Sequence, residues 1–243
     1  MNVRVAVAGA NGRLGRVMCE VVEEHPGVTL SAQLGRNSPA ADWETADLII
    51  EATHPEVSPR IVQDALRRGQ RVIVGTSGWS ATKLEELGEW VHSSPGASVL
   101  VVPNFSLGSV LGTHLAKIAA PFFDAVEILE SHHPHKVDSP SGTAVHTAEE
   151  ISRAREQTPL TPPFAEQEAR GETIEGVPIH SMRLRGVVAS QEIRFGGVGE
   201  TLTISHDTKS ADSYRAGIRA AIDYVLEHDG LTVGLGTVLG IAS

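Results

Sequence analysis

Apolar and polar positions alternate from the start of the chain. Residues 2–8 follow a two-residue period rich in Val, as a half-buried strand does. A glycine-bearing turn follows, Gly9-Ala10-Asn11-Gly12-Arg13-Leu14-Gly15. Beyond it Leu14, Val17, Met18, Val21 and Val22 recur at helical spacing. Pro26-Gly27 stops that helix, and residues 28–34 read as a second strand. The two periods then repeat: strand 46–52, helix 55–68, strand 71–74, helix from about 80 to 92, strand 98–102. Strands alternating with helices through short Gly/Pro turns predict βαβ units with right-handed crossovers, hence a parallel sheet. Up to about residue 105 the chain reads as a doubly wound domain of the dinucleotide-binding type.

After Ser106 the pattern changes. Residues 107–123 present one long apolar-faced helix, and 125–131 a strand. Ser139-Pro140-Ser141-Gly142-Thr143 opens a helix to about Arg155, and the Pro-, Glu- and Gly-rich stretch 157–178 reads as a long surface loop. Strand-like runs at 179–184, 187–195 and 200–206 are separated by glycines and suggest antiparallel neighbours. The amphipathic stretch 210–228 predicts a helix that returns to the first domain. The expected fold class is therefore α/β: a Rossmann-type doubly wound parallel sheet with an inserted α+β domain for substrate binding and oligomerisation. The expected domains are 1–106 plus 209–243, and 107–208, with hinges near 105–107 and 208–210.

Composition narrows the function. Apolar residues make up 41% and charged residues 21%, values of a globular chain rather than a disordered one. No apolar run approaches the 18 or so residues of a membrane span, and residues 1–7 lack the apolar stretch of a signal peptide. The lone cysteine, Cys19, excludes a disulfide framework and predicts a reducing cytoplasm. A net charge of −10 argues against a nucleic-acid binder, so positive charge for any anionic ligand must be local.

Two local concentrations of chemistry stand out. A dinucleotide pyrophosphate needs free N–H groups at a helix start and no Cβ where the chains approach closely. Gly9, Gly12 and Gly15 meet that need between a strand and a helix, although their spacing is also that of an ordinary tight turn. The second strand ends Gln33-Leu34-Gly35-Arg36, with no carboxylate for ribose hydroxyls. Arg36, with Arg13, suits a 2′-phosphate instead, which predicts NADPH with NADH also usable. Gly75-Thr76-Ser77 and Val102-Pro103-Asn104-Phe105 lie at carboxyl ends of strands, where such sheets bind ligands. Thr76 and Asn104 are candidates for the nicotinamide ribose and carboxamide.

The second concentration is Glu130-Ser131-His132-His133-Pro134-His135-Lys136-Val137-Asp138-Ser139-Pro140-Ser141-Gly142-Thr143-Ala144. Its prolines exclude a continuous helix, so imidazoles and an ammonium fan from a loop. Three readings compete: a zinc site, a solvated histidine run, and a site for a small dianionic acid. The zinc reading lacks a nearby cysteine and the helical i, i+4 histidine pair, so no metal is expected. In the third reading the Ser141–Thr143 helix start and Lys136 hold carboxylates, His133 adds a donor, and His132 donates a proton.

Together these residues resemble the dihydrodipicolinate reductase family over nearly the whole chain. The resemblance rests on Val7 to Gly15, Thr53-His54-Pro55, Gly75 to Gly78, Pro103-Asn104-Phe105, the Glu130–Ala144 string and Gly199 to Ile204. It implies NAD(P)H-dependent reduction of 4-hydroxy-tetrahydrodipicolinate, with loss of water, in diaminopimelate and lysine biosynthesis. It also implies a small dicarboxylate substrate and a homotetramer built through the second-domain sheets. By the same resemblance His132 is the proton donor and acceptor, and Lys136 the second proton donor. His133, Gly142 and Thr143 bind substrate carboxylate. Gly9, Ala10, Asn11, Gly12, Arg13 and Leu14, with Gly75 to Ser77 and Val102 to Phe105, contact the dinucleotide. Three positions depart from the family pattern: Gly35 where many members carry Asp or Glu, Glu51-Ala52-Thr53 in place of Asp-Phe-Thr or Asp-Phe-Ser, and Ser190 where a histidine is expected. Two rivals stay open: another two-domain Rossmann reductase of the semialdehyde or sugar type, and a non-catalytic NADPH-sensing regulator.

Overall fold

A computed structural model describes residues 2–36, 38, 43–155 and 158–241. The chain divides into two compact units, Met1–Leu107 with Ala211–Ser243, and Gly108–Ser210.

The first unit is a Rossmann-type parallel sheet. Its strands are β1 (Val3–Ala8), β2 (Val28–Leu34), β3 (Leu48–Glu51), β4 (Arg71–Val74), β5 (Ser98–Val101) and β11 (Gly230–Val233), in the order β11-β5-β4-β3-β1-β2. Every pairing in it is parallel. All four residues of β3 are buried, because helices cover both faces. Helices α2 (Ser58–Arg67) and α3 (Ala81–His92) supply Val62, Leu66, Leu87 and Val91 to one core with Ala6, Ile49, Val72 and Val99. Helix α1 (Arg13–Glu24) packs on β1 and β2, and α6 (Arg215–Glu227) on α1, β4 and β5. Pro26 explains where α1 stops: it forces His25 into an extended conformation, φ −83° and ψ 124°. The sixth strand, β11, escaped the sequence reading because it is four residues long and only partly buried at a sheet edge.

The second unit is a five-stranded mixed sheet in the order β10-β9-β6-β8-β7. Its strands are β6 (Ala125–His132), β7 (Glu172–Ile174), β8 (Val177–Arg183), β9 (Ala189–Gly197) and β10 (Glu200–Thr208). The antiparallel expectation holds for β9 and β10. It fails for β8 and β9, which are separated by β6: β8 runs parallel to β6, and β9 antiparallel to it. Glycine spacing could not reveal this, because central placement of the apolar β6 depends on burial, with Val126 and Ile128 facing the core. Within the expected loop 157–178, residue 157 lies outside the described residues. The loop's end folds into β7, which makes a hairpin with β8 through Glu175 and Gly176, both at positive φ. Helix α4 (Leu107–Ala119) ends short of 123, because Pro121 diverts the chain into a 3-10 turn at Ala120–Phe122. Phe195, Ile128, Ile151, Ile179 and Ile193 form the core beneath α5 (Gly142–Ala154). Ser190 hydrogen-bonds Asp207 on the adjacent strand. Among the described residues, no helix is long and apolar enough to cross a membrane.

Candidate active site

In the first unit the carboxyl ends of neighbouring strands carry the expected dinucleotide residues. Gly9 leaves β1 with φ +87°, and a Cβ there would lie 2.1 Å from the Ala52 carbonyl oxygen, so only glycine fits. The Gly9 and Ala10 amides bond the Leu34 carbonyl at 2.9 and 3.2 Å, which ties the turn to the end of β2. Gly12 is the N-cap of α1 and gives it no side-chain cap, so Arg13, Leu14 and Gly15 begin the helix with amides directed at the turn. Asn11 is exposed and sits close to Gly35: a Cβ on Gly35 would meet its Nδ2 at 2.9 Å. Arg36 follows in an exposed turn after β2. These features form a cradle without side chains at a helix N-terminus, which fits a nucleotide pyrophosphate.

The next two strand ends are bound together by a residue not singled out as functional from the sequence. Glu51, fully buried at the end of β3, accepts hydrogen bonds from the Thr53 amide (2.7 Å), Thr76 Oγ1 (2.8 Å) and Ser58 Oγ (2.5 Å), and from the Thr53 hydroxyl. The Thr76 hydroxyl therefore faces Glu51, whereas Ser77 and Pro103 are exposed. The Gly75 amide bonds the Glu51 carbonyl, and the Val102 amide the Val74 carbonyl. Asn104 Oδ1 caps the Ser106 amide at 2.9 Å, and Phe105 is buried.

In the second unit the histidine–lysine string leaves the end of β6. Strand parity puts Val126, Ile128, Glu130 and His132 on the core side, so a carboxylate stands where the pattern calls for an apolar residue. Glu130 is 0% exposed and surrounded by donors. Arg183, opposite His132 on β8, gives it two bonds, Nη1 to Oε2 at 2.9 Å and Nη2 to Oε1 at 3.0 Å. The Ser181 side chain and the Ser141 amide (3.2 Å) also reach Glu130, and His132 Nδ1 lies 2.6 Å from its Oε2. Burial alone would raise the Glu130 pKa; the bonds from Arg183, Ser181 and His132 outweigh it and hold the group below the ordinary glutamate range. The His132 pKa is lowered, by burial first and also by Lys136 and Arg183, against the raising effect of Glu130.

The loop then closes on itself. The Lys136 amide bonds the His133 carbonyl at 3.1 Å, and Lys136 Nζ contacts both Asp138 carboxylate oxygens at 2.7 and 2.8 Å. Ser141 caps α5, its Oγ accepting from the Ala144 amide at 3.2 Å, while the Gly142 amide donates to Asp138. Burial raises the Asp138 pKa, but these bonds overcome it and leave the group low. A Cβ on Gly142 would meet open space, so the helix start is accessible. The Thr143 carbonyl accepts from the Thr147 hydroxyl, and the His133 ring lies 6.4 Å from that of His135. His132, His133, Lys136, Gly142 and Thr143 thus lie on one continuous segment, from the end of β6 through the loop to the start of α5. Sequence reasoning gave no role to Glu130 and missed Arg183; the acidic residue on an otherwise apolar strand face was the available signal for the first. Among the described residues, no three His, Cys, Asp or Glu side chains gather as metal ligands.

Comparison with known proteins covers both units. Residues 3–105 match the family model described as dihydrodipicolinate reductase, N-terminus, and residues 108–239 its C-terminus. The 4-hydroxy-tetrahydrodipicolinate reductase of Clavibacter sepedonicus is 43% identical over 240 residues, covering 98% of this chain and 87% of that protein. The enzyme of the same name from Mycobacterium marinum is 41% identical over 244 residues, covering 98% and 100%. Among solved structures, dipicolinate-bound dihydrodipicolinate reductase from Paenisporosarcina sp. TG-14 superposes with a TM-score of 0.84 at 31% identity, covering 98% of this chain and 99% of that one.

Proposed function

The chain belongs to the dihydrodipicolinate reductase family, and from that premise we propose that it reduces 4-hydroxy-tetrahydrodipicolinate, with loss of water, using NADPH in preference to NADH. The observation that carries this reading is the turn from Glu130 to Thr143. There an ammonium, an imidazole and helix-start amides stand within one short segment, as a small dianion requires. The aspartate-semialdehyde type of rival would need a nucleophilic cysteine in the second unit, and the lone Cys19 is buried in α1 with its thiol pushed up to about 11.

Gly9 to Leu14, Arg36, Gly75 to Ser77 and Val102 to Phe105 would hold a reduced nicotinamide dinucleotide, which would supply a hydride when bound. The remaining work falls to the protein. Lys136 and the amides of Gly142 and Thr143 hold the carboxylates, which compete with Asp138 for Lys136 and the Gly142 amide. His133 adds a donor at the rim. The negative charge that develops on the ring is stabilised by Lys136 and quenched by a proton from His132 or Lys136. Placing the cations beside the point where charge develops lowers the barrier without uniform tightening of the ground state.

The sheet face opposite α5, with exposed Thr201 and Thr203 on the nine-residue edge strand β10, supports assembly into a homotetramer through these sheets. A lone buried cysteine supports a reducing cytoplasm as the compartment. Mixing the chain with reduced dinucleotide and freshly condensed pyruvate and aspartate semialdehyde should give rapid loss of the reduced-nicotinamide absorbance. No loss would refute the activity.

Two further results follow from this reading. Arg36→Ala should weaken NADPH binding by about 10- to 100-fold, the loss of a charge-assisted contact, and change NADH by less than about twofold. Fluorescence titrations check this, and equal losses would mean that Arg36 does not contact the 2′-phosphate. The second concerns pH. His132 in the free protein sits below the usual histidine value of 6.5, and two bound carboxylates must raise it. Since kcat/KM reports the free enzyme and kcat the complex, both should fall as pH rises through the His132 pKa, kcat/KM at the lower pH. Coincident or reversed midpoints would contradict it.

A further inference from the structure

We propose that Glu130 and Arg183 are positioning residues for the proton transfer assigned to His132: the ionised Glu130 carboxylate fixes His132 as the Nδ1–H tautomer and so reserves Nε2 for the substrate. This deepens the reading above and rests on His132 being a proton-transfer residue. A fully buried carboxylate is costly to ionise unless its lone pairs are filled. Glu130 meets that condition with the Arg183 fork, the Ser181 hydroxyl, the Ser141 amide and the imidazole. With the other donors already directed at it, the carboxylate can only accept from His132. Nδ1 therefore donates, at a distance of 2.6 Å typical of a charge-assisted bond, and the exchanging atom is Nε2.

Arg183 has a distinct part. Protonating Glu130 would remove the partner of its guanidinium, so Arg183 prevents the carboxylate from taking the proton that His132 must deliver. Its Nη2 also donates to the Asp138 carbonyl at 2.6 Å, which ties the loop carrying Lys136 to β8. The charged groups facing His132 are then Glu130 beneath it, Arg183 from β8 and Lys136 from the loop, the last paired with Asp138. One anion lies on the Nδ1 side of the ring, where it supports an imidazolium as Nε2 gains a proton and keeps the tautomer as Nε2 loses it.

Glu130→Gln tests the assignment, because the amide keeps the shape of the carboxylate but loses its charge and turns one acceptor into a donor. Oε1 receives two fixed donors, Arg183 Nη2 and the Ser141 amide, so Gln keeps its oxygen there and turns its NH2 to the Oε2 side, toward His132, giving up the Arg183 Nη1 bond. Nδ1 must then accept, and the neutral ring becomes the Nε2–H tautomer. Nitrogen-15 NMR of the intact protein with labelled histidines should show His132 protonated on Nδ1 in the wild type and on Nε2 in Glu130→Gln. Turnover should fall by about 10- to 100-fold, with the dissociation constant for dipicolinate within about twofold. Glu130→Asp should keep the wild-type tautomer and recover part of the turnover. An unchanged tautomer with unchanged turnover in Glu130→Gln overturns the proposal. If that variant does not fold, the wild-type spectrum still decides: an Nε2–H ring at neutral pH overturns it. His132→Gln separates the two levels, since full turnover there would refute the role of His132 itself while leaving the tautomer result standing.

Discussion

Lys136→Ala is expected to lower turnover by about 10²–10⁴-fold, the range for losing a positioned proton donor, while dinucleotide affinity stays unchanged. The substitution removes an ammonium that otherwise grips both oxygens of Asp138, yet the turn around it survives. The Lys136 amide bond to the His133 carbonyl is made by the backbone, and the loop is also tied through Asp138 to Arg183. A loss of activity in this variant is therefore chemical rather than a collapse of the loop. Steady-state kinetics with parallel dinucleotide titration checks it. Normal turnover would remove Lys136 from the reaction, and an equal loss of dinucleotide affinity would mean that the change had spread beyond the turn.

The second large effect is on stability. Phe195→Ala should destabilise the second unit by about 3–5 kcal/mol, the usual range when a buried aromatic is truncated. Phe195 is 1% exposed on β9, lies at 5.6 Å from the Phe123 ring, and shares its core with Ile128, Ile151, Ile179 and Ile193. That core carries β6 and the start of α5, and with them His132 and Gly142. Urea unfolding followed by circular dichroism should show a lowered midpoint with an unchanged slope for the transition of this unit. A shift equivalent to less than about 1 kcal/mol would show that the site's support lies elsewhere.

Much of the first unit was legible because its signals are local. A two-residue period, a glycine turn and a helical period follow one another within about 25 residues, and β1, α1 and β2 fall where those periods put them. The strand β11 was not legible: Gly230-Leu231-Thr232-Val233 is as short as β4 but only partly buried, so it lacks the apolar run that marks β4, and it pairs with β5 only through the fold. In the second unit the pairing order was hidden for a related reason. β6 and β8 meet in parallel although about 50 residues of chain separate them, and turn chemistry specifies only neighbours along the chain.

The candidate site divides along the same line. Its donors, from His132 to Thr143, are contiguous, so the sequence places them together whatever the tertiary fold. Arg183 joins them across 53 residues and only through strand register, which no spacing rule shows. Glu51 and Glu130 are the intermediate case. Glu51 ends an apolar strand and Glu130 lies two residues before the end of another, each on a buried position, a mismatch between residue type and strand face that marks a group held by partners. The sequence showed the mismatch but not the hydroxyls, amides and guanidinium that resolve it.

The structure of the chain co-crystallised with dipicolinate bears most directly on the claim that the turn after β6 is a dianion site. One carboxylate should accept the amides of Gly142 and Thr143, Lys136 Nζ should leave Asp138 for the ligand, and His132 Nε2 should face the ring. A ligand seated away from this turn, with Lys136 still on Asp138 and the α5 start open to solvent, would contradict it.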